Sequence, residues 1–261
     1  MDLDLTGRHA LVCGGSDGIG RAAAHELALL GADVTVLARR ADALQAVVAA
    51  LPASGPQAHA WIVADLAEHA PLIAAVNARI AQRPAHILVN NTGGPPGGPI
   101  ASAPPTAFLE AFHRHLIANQ LLAQAVAPGM RAAGWGRIVN VVSTSIREPI
   151  AGLGVSNTIR GAVASWAKTL SRELAGDGIT VNNVLPGYTR TARIDQVVRD
   201  RVAASGRSAE DVLDGMRAHV PLGRIAEPAE IAAAIAFLCS PAAGYVTGAS
   251  LPVDGGRMAS I

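Results

Sequence analysis

The chain has 261 residues, 50% of them hydrophobic and 16% charged, so it can bury a sizeable core and is not disordered. Lys plus Arg is 21 against 20 for Asp plus Glu, and a net charge of +1 leaves no electrostatic footprint for nucleic acid or an anionic membrane. Aromatic residues, at 3%, are too few for a base-stacking platform, and Cys13 and Cys239 form neither a disulfide framework nor a metal-ligand cluster, which fits a reducing cytoplasm. Residues 1–8 carry two early acids and no apolar stretch, so they are not read as a signal peptide. No run of about 18 uncharged apolar residues is present to span a membrane.

Short apolar runs at 9–13, 33–38, 58–63, 86–90, 137–142, 179–185 and 250–253 read as strands. Helical patterns near 19–30, 41–50, 68–82, 106–132, 158–175 and 228–239 alternate with them. Strands that are apolar throughout are covered on both faces, as in a parallel sheet. The expectation is one α/β domain over 1–261. It is a Rossmann-type, doubly wound parallel sheet of about seven strands with helices on both faces. Residues 190–219 break the alternation with charged helical sequence. That segment reads as a substrate lid, the plainer alternative being a surface helix pair.

The first strand runs into Cys13-Gly14-Gly15-Ser16-Asp17-Gly18-Ile19-Gly20. Gly14 permits a tight turn, Gly18 lets backbone approach a pyrophosphate, and Gly20 allows close packing of helix on strand. The helix start offers free N–H groups and partial positive charge to the phosphates. At the end of the second strand an NAD site would place an acid for the ribose 2′-hydroxyl. Ala38 stands there, followed by Arg39 and Arg40. Arginine pairs bidentately with phosphate, so NADP(H) is expected over NAD(H), unless the two are merely solvated residues of a helix start.

These motifs resemble the short-chain dehydrogenase/reductase superfamily, and most of all its 3-oxoacyl-acyl-carrier-protein reductases. The resemblance covers nearly the whole chain. Cys13 replaces the Thr that usually opens the glycine motif. Asp65 matches the acid that contacts adenine, with Leu66 beside it. Asn90-Asn91-Thr92-Gly93 matches the family's Asn-Asn-Ala-Gly, and Pro186-Gly187 with Thr189 and Thr191 matches the loop holding the nicotinamide end. The resemblance thus implies cofactor contacts at Gly14, Ser16, Asp17, Gly18, Ile19, Gly20, Arg39, Arg40, Asp65, Leu66, Asn91, Gly93, Arg160, Pro186, Gly187, Thr189 and Thr191. It also implies a cytoplasmic homotetramer or dimer acting on a small carbonyl or alcohol, with a 3-oxoacyl-like compound as one candidate. The Ala-rich helices over 107–132 and 158–175 suit close packing between subunits.

The family's catalytic set is a Ser followed by Tyr-x3-Lys, with an Asn on the preceding helix. Ser143 occupies the Ser position. Thirteen residues on, Ser156 falls at the Tyr and Arg160 at the Lys. His115 falls at the Asn, although a one-turn slip brings Asn119 there. Ser156 is a far poorer acid than a phenol, and Arg160 stays charged without exchanging a proton. Three outcomes stay open. Hydride transfer can persist with Tyr188, or else His115, as proton donor. The chain can be an impaired NADP(H)-binding pseudoenzyme, serving as a sensor or an oligomer subunit. Or the site can run another reaction, such as elimination or imine reduction. Glu148 and Arg147 are expected either to meet a polar substrate or to pair on the surface.

Overall fold

The strands form where the sequence can be covered on both sides. β1 (His9–Cys13), β4 (Ile87–Asn90) and β5 (Gly136–Val141) are buried at every position in the computed structural model, which describes residues 1–260. With β2 (Asp33–Ala38), β3 (Ala60–Val63), β6 (Ile179–Pro186) and β7 (Ser250–Val253) they make one parallel sheet, ordered β3-β2-β1-β4-β5-β6-β7. The fold is the expected doubly wound α/β sheet, with strand ends within two residues of those read from the sequence.

Helices α1 (Gly18–Leu29), α2 (Ala41–Ala50) and α9 (Pro228–Cys239) cover one face, through Leu27, Leu44, Ile231 and Ile235. Helices α3 (His69–Gln82), α5 (Ala118–Ala132) and α6 (Gly154–Leu174) cover the other, through Leu72, Leu122, Met130 and Leu174. The strand order reverses between β1 and β4, so the loops leaving their carboxyl ends splay apart and open a crevice.

A polar ladder fixes the register beside that crevice. Asn90 donates to Asn140 Oδ1 (2.9 Å), Asn140 to Asn183 Oδ1 (3.0 Å), and Asn183 to Ser250 Oγ (3.1 Å). These residues are direct register partners on β4, β5, β6 and β7. A one-residue slip would leave several buried amides unpaired, a costly outcome in a dry sheet.

Two helices depart from the sequence reading. The pattern over 106–132 is not one helix but α4 (Pro105–Phe112), a wide π turn at His113–Ile117, and α5. Ala118 N–H bonds His113 O five residues back, and His69 Nε2 bridges to the same carbonyl at 2.9 Å. The extra residue in the turn re-aims Arg114 and His115, as such bulges commonly do at functional sites. Helix α6 begins four residues earlier than the pattern over 158–175, so Ser156 and Arg160 lie within it, one turn apart.

Helices α7 (Ala192–Ser205) and α8 (Ala209–Ala218) occupy the segment expected as a lid. They share a small apolar cluster of Ile194, Val198, Val212 and Met216, against which Tyr188 packs half-buried. No helix among the described residues is long and apolar enough to cross a membrane.

Candidate active site

Three loops build the site from the carboxyl ends of β1, β4 and β6. After β1 the chain turns at Gly14, whose φ of +59° favours glycine. A Cβ on Gly14 would lie 2.7 Å from Asn91 Nδ2, and one on Gly20 would lie 2.2 Å from Gly14 O. Asn91, just after β4, donates to Cys13 O (3.4 Å) and Gly14 O (3.3 Å), tying the two turns together. Gly18 also has positive φ, and a Cβ there would approach Thr191 Cγ2 to 3.0 Å, so the loop after β6 closes on the glycine turn. Asp17 caps α1 by accepting from Gly18 N–H at 2.7 Å. Gly14, Ser16, Asp17, Gly18 and Ile19 thus line the cavity, with the positive end of α1 behind them.

The cavity so formed has a volume of about 1140 Å³. It is large enough for a dinucleotide together with a small second ligand. Every residue proposed above for cofactor contact or chemistry lines it, except Gly20, His115 and Asn119. Gly20 acts from beneath, through close packing. A Cβ on Gly93 would meet nothing within 4 Å, so that wall is open to a ligand.

At the end near β2, Asp65 lies between two guanidinium groups, Arg39 at 3.8 Å and Arg114 at 4.0 Å. Its Oδ1 also accepts from Ala67 N–H at 2.9 Å. The Arg39 side chain is 72% exposed, and so exposed a pair contributes little; Arg39 can turn to a phosphate at small cost. Arg114 escapes sequence reading because the π turn is what directs it to the cavity.

At the other end stand Ser143, Ser156, Arg160 and Tyr188. Ser143 Oγ accepts from Ser145 N–H (3.1 Å), which leaves its own hydroxyl proton to donate. Arg160 donates to Val141 O at 2.8 Å. Burial, reinforced by the neighbouring Arg193, pushes its guanidinium down to about 10, so it stays charged at neutral pH. Tyr188 has the Arg257 guanidinium 4.7 Å above its ring. The chain's other tyrosine, Tyr245, is fully exposed and does not line the cavity.

His115 is a correction. It is buried and does not line the cavity, and its Nε2 has no partner among the described residues. Burial, then Arg160 and Arg114, pushes the imidazole down to about 3, so at neutral pH it holds no extra proton to give. Asn119 is likewise buried on α5, away from the cavity. Glu148 and Arg147 do not pair with each other. Glu148 accepts from the N–H groups of Ala259 and Ser260, and Arg147 donates to Ser250 O. Burial pushes the Cys13 and Cys239 thiols up to about 12, so neither is a nucleophile.

The family described as Enoyl-(Acyl carrier protein) reductase matches residues 14–257, from the glycine turn to Arg257. The chain belongs to the short-chain dehydrogenase/reductase superfamily. It is 33% identical over 260 residues to a 3-oxoacyl-acyl-carrier-protein reductase of Pseudomonas aeruginosa, covering 99% of this chain and all of that one. It is also 33% identical over 249 residues to the short-chain reductase protein NovJ of Streptomyces niveus, covering 95% and 93% of the two chains. L-sorbose reductase from Gluconobacter frateurii, solved with NADPH and L-sorbose, superposes with a TM-score of 0.93 at 30% identity, each chain covered in full. In this superfamily member the glycine turn, Asn91 and the Pro186–Thr191 loop converge on a single cavity.

Proposed function

We propose that the protein is an NADP(H)-dependent oxidoreductase that reduces a carbonyl group, with Tyr188 as proton donor. The observation that carries this reading is the continuity of one cavity from the glycine turn and Arg39 to Ser143, Arg160 and Tyr188. NADPH in the L-sorbose reductase structure, and NADP in that of a 3-oxoacyl-acyl-carrier-protein reductase from Agrobacterium tumefaciens, support the choice of cofactor.

The residues present fit a dinucleotide. Gly14, Gly18 and the start of α1 would hold the pyrophosphate, because side chains at either glycine would be strained and would crowd Asn91 or Thr191. Arg39 and Arg40 would hold the 2′-phosphate, Asp65 the adenine, and Asn91, Arg160 and the Pro186–Thr191 loop the nicotinamide end. NADPH when bound supplies the hydride.

The remaining chemistry belongs to the chain. Ser143 donates a hydrogen bond to the substrate oxygen. Arg160, charged and fixed by Val141 O, stabilises negative charge developing there without releasing a proton. Ser156, at the position where the superfamily carries its phenol, is too weak an acid to complete the step. Tyr188 is the phenol that faces the cavity, so we assign it the proton. Helices α7 and α8 act as a lid, since Tyr188 packs on their shared cluster.

A second reading, an NADP(H)-binding subunit without turnover, is favoured by the replacement of the helix acid by Ser156. Consumption of NADPH against a panel of small carbonyl compounds separates the two. Turnover of any compound supports the reductase, and NADPH binding without turnover supports the subunit. Arg39→Ala is expected to raise the Kd for NADPH about 10- to 100-fold, the effect of losing a charge-assisted hydrogen bond. The Kd for NADH should hardly move. Equal losses for both nucleotides would contradict the phosphate role.

A further inference from the structure

The part of the cavity wall supplied by α6, α7 and the C-terminal segment carries four guanidinium groups, Arg160, Arg193, Arg201 and Arg257, against one carboxylate, Asp200. The whole chain has a net charge of only +1, so this excess is local. Asp200 offsets it only in part, by favouring the charge on Arg193 from beyond ion-pair distance. Its carboxylate accepts from Gln196 Nε2 at 2.7 Å and forms no ion pair with an arginine among the described residues.

Two of the four are brought together. A Cβ built on Gly94 would lie 3.6 Å from Arg160 Nη2 and also 3.6 Å from Nε and Nη2 of Arg193. Each arginine donates to a backbone carbonyl, Arg160 to Val141 O and Arg193 to Pro95 O (2.9 Å). Neither has an acidic partner among the described residues. Burial lowers both guanidinium groups; Arg193 lowers Arg160 further, as expected for like charges that face each other, and Asp200 offsets part of the effect at Arg193.

Arg257 is set beside the reacting groups. Its Nη1 donates to Thr144 Oγ1 at 3.0 Å, next to Ser143, and its plane lies over Tyr188. Its Nε is buried and has no hydrogen-bond partner among the described residues. The segment that carries it is pinned on both sides. Asp254 accepts from Gly256 and Met258 N–H, and Glu148 accepts from Ala259 and Ser260 N–H. The Glu148 carboxylate feels Arg257 but forms no ion pair with it and does not line the cavity, so among the described residues no carboxylate occupies the cavity side of this fixed cation, which is preorganised for an anion.

We infer that the substrate of this site carries a carboxylate as well as its carbonyl, and that Arg257, assisted by Arg193, is the specificity-determining group that receives it. The inference rests on the reductase reading and adds the substrate class to it. Planar guanidinium groups match carboxylates in pairs of parallel bonds, whereas a neutral substrate would leave the excess charge uncompensated.

The test is calorimetric titration of the NADP⁺-loaded protein with pyruvate, acetoacetate and levulinate, each against its methyl ester. At least one acid should bind about tenfold or more tightly than its ester, the effect of one charge-assisted contact. Arg257→Met should erase that preference and leave the NADPH Kd within about twofold; Arg193→Met should reduce the preference. Esters binding as tightly as their acids, or no acid binding at all, would overturn the inference. So would a loss of NADPH affinity in both variants, because the guanidinium groups would then serve the cofactor's phosphates. The comparison of acid with ester in the unaltered protein decides between these outcomes even if a variant fails to fold. NADPH failing to bind the unaltered protein would instead overturn the reductase reading itself.

Discussion

Tyr188→Phe should lower kcat for carbonyl reduction about 100- to 10,000-fold, the usual contribution of a positioned general acid. The Kd for NADPH should stay unchanged. The variant removes one hydroxyl and keeps the ring, so packing against Ile194 and Val198 and the contact with Arg257 persist. No other phenol lines the cavity to compensate, since Tyr245 is fully exposed elsewhere. Ser156 cannot take over, its hydroxyl being far weaker as an acid. His115 cannot either, being buried and neutral. Steady-state NADPH oxidation with the best carbonyl substrate, paired with NADPH titration, reads the outcome. Unchanged kcat would remove Tyr188 from the chemistry.

Gly20→Ala should abolish measurable NADPH binding, weakening it by more than about 100-fold, and should also lower thermal stability. A methyl group at this position would sit 2.2 Å from Gly14 O and 2.7 Å from Asn91 Nδ2. Backbone on one side and a bonded amide on the other leave no flexible atom to yield. The turn must open, which breaks the Asn91 bonds to Cys13 O and Gly14 O and spoils the alignment of backbone towards the phosphates. Overpacking of this kind costs about 1–3 kcal/mol in stability. Calorimetry with NADPH and a thermal melt check both parts. Binding at the level of the unaltered protein would contradict the close-packing role.

Much of this architecture is legible in the sequence because it is written locally. Strands with no polar face, and glycines placed between a strand and a helix, determine their own surroundings. The sheet and the cofactor end therefore follow from short stretches such as Cys13–Gly20. The rest depends on contacts between distant segments. The π turn at His113–Ile117 is held by His69 from α3, forty-four residues away, so a regular helical pattern gives no hint of it. That turn decides that His115 points inward and Arg114 reaches the cavity. Arg257 meets Thr144 across a separation of 113 residues, and Arg193 meets Pro95 across 98. Neither pairing has a local signal. The asparagine ladder is half visible, since β4, β5 and β6 each carry an asparagine, but only the register shows that they pair.

The central claim is that the glycine-turn cavity holds NADP(H) and distinguishes it from NAD(H) through Arg39. Calorimetric titration of the purified protein with NADPH, then with NADH, tests this most directly. The account predicts one NADPH per chain, bound about tenfold or more tightly than NADH. Equal affinity for the two nucleotides would contradict the role of Arg39, and no binding of either would contradict the cofactor site itself.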